Sequence, residues 1–122
     1  MGHVYVISNI GSFGDGVYKI GVTRRLEPQE RIDELGSASV PFPFDVHAII
    51  RSDDAPALEA KLHRVFNHRR VNMKNTRKEF FRATLQEIEQ AVKFHHGHID
   101  FVEVPDARDY YETLAILEKM KS

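Results

Sequence analysis

The chain has 122 residues and a mass of 14.1 kDa, a length that fits one domain. With 42% hydrophobic and 29% charged residues it has enough apolar material for a core, which excludes disordered and collagen-like classes. The lack of cysteine excludes disulfide frameworks, cysteine-ligated zinc and cysteine nucleophiles, and favours a cytoplasmic protein. No apolar stretch approaches the roughly 18 residues of a membrane span, so we expect no membrane partner.

Charge is distributed unevenly along the chain. Its 17 Lys+Arg and 18 Asp+Glu give a net charge of -1, which argues against a general polyanion binder. Residues 61–82 nevertheless hold eight basic residues and one acid, so this segment carries +7 and the remainder -8. A polar run without periodicity inside it predicts a loop suited to DNA phosphates, although an ordinary solvated loop is equally open. The candidate nucleic-acid-binding residues of this basic loop are Arg69, Arg70, Lys74, Arg77 and Lys78.

The first half of the chain predicts strands around one short helix. Residues 3–8 and 17–23 are rich in β-formers and are separated by turn formers, which predicts a β-hairpin with a long loop. Pro28 can occupy a first helical position, and the apolar spacing that follows predicts a helix over 28–35. Residues 44–51 alternate before an apolar run, as a third, central strand would.

The second half predicts mainly helices. Asp53 or Asp54 can cap a helix with an apolar face. Residues 79–82 suit a short extended piece, and Thr84 with Glu87 matches a capping box for the next helix. Residues 101–104 suit a small extra strand before a last helix.

These elements predict an α+β fold with a small three-stranded, mostly antiparallel sheet flanked by helices. We expect the domain to occupy residues 1–98, with a C-terminal strand and helix in residues 99–122 packed on the same domain.

Five landmarks follow one another on the predicted elements. They are Val4-Tyr5-Val6, Lys19-Ile20-Gly21, Arg31, the helical pattern Leu-Glu-x-x-Leu-His over 58–63, and Glu79-Phe80-Phe81. In these residues the chain resembles the GIY-YIG nuclease superfamily, specifically a small stand-alone phage and bacterial branch with Lys-Ile-Gly in the second motif. The resemblance extends from residue 2 to about residue 82. Two departures stand out, since His3-Val4-Tyr5 replaces Gly-Ile-Tyr and Lys19 replaces the usual tyrosine of the second motif.

The resemblance implies a metal-dependent endonuclease that hydrolyses DNA phosphodiester bonds with Mg²⁺ or Mn²⁺. It implies that Glu59 is the metal ligand, a role that suits an acid whose helical neighbours are cations. It also implies that Tyr5 takes a proton from the attacking water, with Lys19 lowering the phenol pKa. A desolvated Lys19 acting as the base while Tyr5 positions the water is the open alternative.

Three further residues are candidates for the same chemistry. Arg31 can clamp a phosphate oxygen, although it also lies at helical spacing from Glu34 and would suit a surface ion pair. His63, four residues after Glu59, can orient a water or donate to a phosphate. Glu79 is a weaker second candidate for a metal ligand, and the alternative is that it neutralises the adjoining cations.

A second function remains open from the sequence. The altered second motif is also compatible with a catalytically inactive domain of the same fold that binds nucleic acid or recruits a partner. A homodimer is compatible with the chain as well. We do not assign a metal site to His95, His96 and His98, because they follow a helix whose C-terminal dipole favours protonated histidine.

Overall fold

Four antiparallel strands form one sheet in the order β3-β1-β2-β4. In this computed structural model the described residues are 1–37, 40–75, 78–97, 99 and 107–121. The strands are β1 (Gly2–Ser8), β2 (Val17–Thr23), β3 (Asp45–Ser52) and β4 (Phe80–Arg82). The predicted α+β architecture and antiparallel hairpin are confirmed, and the piece predicted over 79–82 adds a fourth strand.

The position of β3 corrects one expectation. It was predicted to be central, but it lies at one edge of the sheet and pairs only with β1 among the described strands. Its surface explains this placement, because Ile49 is 36% exposed and Arg51 is exposed, whereas Val4, Val6 and Ile7 of β1 are fully buried. The most apolar strand therefore occupies the interior of the sheet.

The helices are α1 (Ile10–Phe13), α2 (Pro28–Leu35), α3 (Ala55–Phe66), α4 (Leu85–His95) and α5 (Arg108–Lys121). A short 3-10 turn, Asn67–Arg69, follows α3. The predicted caps are present, since Asp54 accepts a hydrogen bond from the Ala57 amide and Thr84 forms its capping box with Glu87. None of the helices in the described ranges has the length and apolar composition to cross a bilayer.

Alternation along β1 gives the sheet two covered faces. Val4 and Val6 pack with the buried residues of α3 and α4 in the larger part of the core. Tyr5 and Ile7 point to the opposite face and pack against Ile32 of α2. Tyr5 is therefore placed between the sheet and α2, on the face away from α3.

The short length of β4 leaves part of β2 without a neighbour. Pairing between the two strands stops at Lys19 and Phe80, and the Ile20 amide makes the last ladder contact, 3.2 Å from the Glu79 carbonyl oxygen. Beyond that point the edge of β2 is open on the β4 side, so side chains from α3 can reach the strand there.

The C-terminal helix contacts the domain through aromatic residues. The ring of Tyr110 on α5 meets Phe42 edge-on at 5.5 Å between centroids. The predicted strand over residues 101–104 and the predicted site residue Arg77 lie outside the described residues. The division of the chain near residue 98 stays a prediction.

Gly21 provides a test of how the sheet accommodates Tyr5. A Cβ atom at Gly21 would clash with the ring and the hydroxyl oxygen of Tyr5, whereas one at Gly36 would meet its neighbours at 3.4 Å, an ordinary contact. We expect Gly21→Ala to lower the free energy of unfolding by about 1–3 kcal/mol because the buried ring must move. Gly36→Ala, the matched control, should leave it nearly unchanged in urea denaturation. Equal stability of the two variants would contradict this packing.

Candidate functional site

Glu79 lies at the centre of a polar cluster where β4 begins. Its Oε1 is 3.4 Å from Lys19 Nζ on β2, and its Oε2 is 3.6 Å from His63 Nε2 on α3. Glu59, one helical turn before His63, completes the cluster. Ligand atoms of Glu59, His63 and Glu79 all lie within 4.8 Å of one another, so this group could hold a metal ion.

The local structure explains why these side chains meet. Leu58 and Leu62 fix the buried face of α3, which turns Glu59 and His63 toward its flank beside the open edge of β2. Lys19 is directly opposite Phe80 in the β2–β4 ladder, so Glu79 immediately precedes the residue that faces Lys19. The cluster thus forms where β4 begins and α3 passes the sheet edge.

The charge of Glu59 is destabilised where it lies in the cluster. Burial raises the pKa of Glu59 to about 8, with further contributions from the Glu79 charge and a hydrogen bond to Glu79, while Lys19 and Arg70 oppose the shift. Glu59 Oε2 is buried and has no hydrogen-bond partner among the described residues. An acceptor atom left unpaired beside a second carboxylate is the arrangement that a bound cation would satisfy, so the donor set fits a divalent ion.

His63 fits a ligand role less well than the carboxylates. Its Nε2 lies 2.7 Å from the Ile20 carbonyl oxygen, which can only accept a hydrogen bond. Nε2 therefore carries the proton and is not free to bind a metal or to donate to a phosphate while that contact lasts. Burial lowers the pKa of His63, which favours the neutral ring. His63 joins α3 to the Lys-Ile-Gly segment of β2 in this arrangement.

Tyr5 reaches the cluster from the opposite face of the sheet. It pairs with Gly21 across the β1–β2 ladder, and the missing side chain there leaves room for the phenol ring. Burial, followed by the charge of Glu79, raises the pKa of Tyr5 to about 12. Arg31 opposes that shift through its charge and a side-chain hydrogen bond, which places its guanidinium beside the hydroxyl.

Arg31 is the most accessible of these groups. Its side chain is 43% exposed, and its Nη1 lies 3.7 Å from Glu34, as the helical spacing predicts. The long contact distance and the exposure make this ion pair weak, so it can be exchanged for another anion.

The structure brings together all five predicted catalytic residues, namely Tyr5, Lys19, Arg31, Glu59 and His63. The sequence predicted Glu79 only as a weaker second metal ligand, yet Glu79 contacts or influences most of the cluster. The signal was its position at the start of an aromatic strand, but its pairing partner in β2 was not predictable from local sequence.

The basic loop divides into residues with different surroundings. Arg69 pairs with Glu87 at 2.6 Å and lines a separate groove of about 470 Å³ between α3 and α4, away from the cluster. Arg70 lies over the Phe81 ring at 4.9 Å and lowers the Glu59 pKa, so it belongs to the site. Lys74 and Lys78 are exposed and remain candidate phosphate contacts.

The fold and cluster define a small α+β domain whose clustered carboxylates could hold a metal ion beside His63. The chain matches the T5orf172 domain over residues 2–96, from β1 through α4, and belongs to that family. This domain is found in phage and bacterial nuclease-like proteins, which associates the chain with nucleases in general. No curated protein and no solved structure matches the chain.

The carboxylate pair makes a prediction about stability. The pKa of Glu59 is raised from 4.5 to about 8 in the folded protein. Between these pH values the unfolded chain loses this proton while the folded one keeps it, so the free energy of unfolding falls as the pH rises. Without metal, Glu59→Gln should be more stable than the wild type at pH 7, on the order of 1 kcal/mol. The difference should shrink as the pH falls toward 4.5, when the wild-type carboxyl is protonated in both states. Urea denaturation in EDTA at several pH values measures it, and a less stable variant at pH 7 would contradict the assignment.

Proposed function

We propose that this protein is a metal-dependent endonuclease that hydrolyses DNA phosphodiester bonds by a GIY-YIG-type mechanism. The observation that carries the proposal is the meeting of two carboxyl groups, Glu59 and Glu79, with Lys19, Arg31 and Tyr5 in one small cluster. Cleaving a phosphodiester requires charge neutralisation at the phosphate and a group that handles the proton of water, and the cluster offers both. The proposal includes a cytoplasmic location.

Glu59 and Glu79 are the residues proposed to hold Mg²⁺ or Mn²⁺. Mg²⁺ needs only one or two protein carboxylates in addition to waters and substrate oxygens, which this pair can supply. When bound there, the ion would polarise a phosphate oxygen as a Lewis acid. Lys19 donates to Glu79 and so keeps that carboxylate directed into the cluster.

Arg31 is proposed to bind a non-bridging oxygen of the phosphate. Its guanidinium is exposed enough to meet a substrate and lies beside the Tyr5 hydroxyl, so it would hold the phosphate next to the proton-handling group. Loss of one such charged donor typically costs about 3–4 kcal/mol of transition-state stabilisation.

Tyr5 is proposed to take the proton of the attacking water. Burial and the two carboxylates oppose formation of the phenolate, whereas Arg31 favours it. Neutralising the charges of Glu59 and Glu79 would therefore remove two of the three causes that raise the pKa of Tyr5. Lys19 as the base remains the alternative, but its contact with Glu79 has first to be broken.

Plasmid cleavage tests the activity. Supercoiled plasmid incubated with the protein and Mg²⁺ or Mn²⁺ should be nicked or linearised, and EDTA should prevent it. Glu59→Gln should lower the cleavage rate at least 10²-fold while DNA binding is retained. Circular dichroism serves as the folding control, and the variant should match the wild-type spectrum and melt at or above the wild-type temperature. If wild type and variant bind plasmid equally and neither cuts it, the protein is instead an inactive nucleic-acid-binding domain.

Paired variants test the identity of the base. We expect Tyr5→Phe to lower the cleavage rate by roughly 10²-fold or more, because the ring stays packed while the proton-handling group is lost. Lys19→Met should retain more activity, since it removes a charge near Glu79 but leaves Tyr5 and Arg31. Initial rates under saturating DNA measure both. A larger loss with Lys19→Met than with Tyr5→Phe would favour lysine as the base.

A further inference from the structure

A basic pocket, separate from the cluster around Glu79, lies at the start of β1. It has a volume of about 230 Å³, several times the roughly 30 Å³ that one water occupies. Its charged or titratable lining residues are His3, Arg24, Arg25 and Arg51, and no acidic residue lines it. None of these arginines belongs to the basic loop or to the cluster around Glu79.

The pocket has cations that are not neutralised by protein carboxylates. Arg25 is paired with Glu34 at 2.7 Å, but neither Arg24 nor Arg51 has a carboxylate partner in the described part of the chain. Both are exposed, and Arg51 contacts only the Met1 sulfur in a described hydrogen bond, at 2.9 Å. His3 Nδ1 is buried with no hydrogen-bond partner among the described residues. A concave site with these groups suits an anion.

The sheet places this pocket next to the proposed active site. His3 and Tyr5 are two residues apart on β1 and so lie on the same face, separated by about 7 Å along the strand. Arg51 is directly opposite His3 in β3 and shares that face. One nucleotide of extended backbone covers a similar distance, so a strand held at Arg31 and Tyr5 can reach the pocket with a neighbouring phosphate.

We propose that the pocket formed by His3, Arg24 and Arg51 binds a DNA backbone phosphate that flanks the scissile one. This inference rests on the proposed function. It assigns the direction of the bound strand, along β1 from Tyr5 toward His3, and it adds a phosphate contact outside the basic loop. Contacts of this kind position the substrate without reading its sequence.

The salt dependence of DNA binding tests the pocket. Fluorescence anisotropy of a labelled 20-base-pair duplex is measured in EDTA, where cleavage is prevented, across a salt series. We expect the double variant Arg24→Ala/Arg51→Ala to bind about tenfold more weakly, with the slope of log affinity against log salt reduced by about 1 to 2. The control Lys93→Ala/Lys121→Ala removes the same charge from exposed helical positions and should keep the wild-type slope.

The outcomes separate this inference from the proposed function. A wild-type slope for Arg24→Ala/Arg51→Ala, or an equal reduction in the control, would overturn the pocket while leaving the nuclease proposal intact. Glu59→Gln should bind with the wild-type slope, and if neither this variant nor the wild type cuts plasmid, the nuclease proposal fails whatever the pocket does. Because both arginines are exposed, the melting temperatures of Arg24→Ala/Arg51→Ala, of the lysine control and of the wild type should agree within about 2 °C.

Discussion

The site depends on the short length of β4 and on where it begins. This strand is three residues long, and its pairing with β2 stops at Lys19. The Ile20 carbonyl oxygen accordingly receives its hydrogen bond from His63 of α3 rather than from a strand. A longer β4 would occupy the edge that α3 uses to bring Glu59 and His63 to Glu79. The absent side chain of Gly21 then lets the Tyr5 ring approach the same place from the other face of the sheet.

Charge balance in the cluster is incomplete within the protein alone. Lys19 and Arg70 favour the ionised form of Glu59, yet burial and Glu79 outweigh them. The same carboxylates disfavour the phenolate of Tyr5, whereas Arg31 favours it. Carboxyl groups in this condition reduce stability, and such costs are usually found where a protein binds or converts a ligand. This cost supports the proposed nuclease activity over the alternative of a fold kept only for binding.

The sequence predicted features that depend on nearby residues. Pro28 gave the start of α2, Thr84 and Glu87 gave the start of α4, and both predictions are confirmed. Strand order was not predictable in this way, because the edge position of β3 depends on which strands pair with β1. The importance of Glu79 has the same origin, since Lys19 is 60 residues away and becomes its neighbour only through the ladder.

Motif order identified the five catalytic candidates because each lies on an element whose type the sequence predicted. The basic loop was harder, since a run of cations does not reveal which of them have partners. Arg69 is held by Glu87, whereas Arg70 lies over Phe81 and its charge favours the ionised form of Glu59. Arg24 and Arg51 were not predicted as binding residues, because they lie in segments without a long basic run. They line one pocket only when β3 pairs with β1. Net charge per segment therefore does not reveal the proposed phosphate pocket, whereas the sheet register brings its residues together.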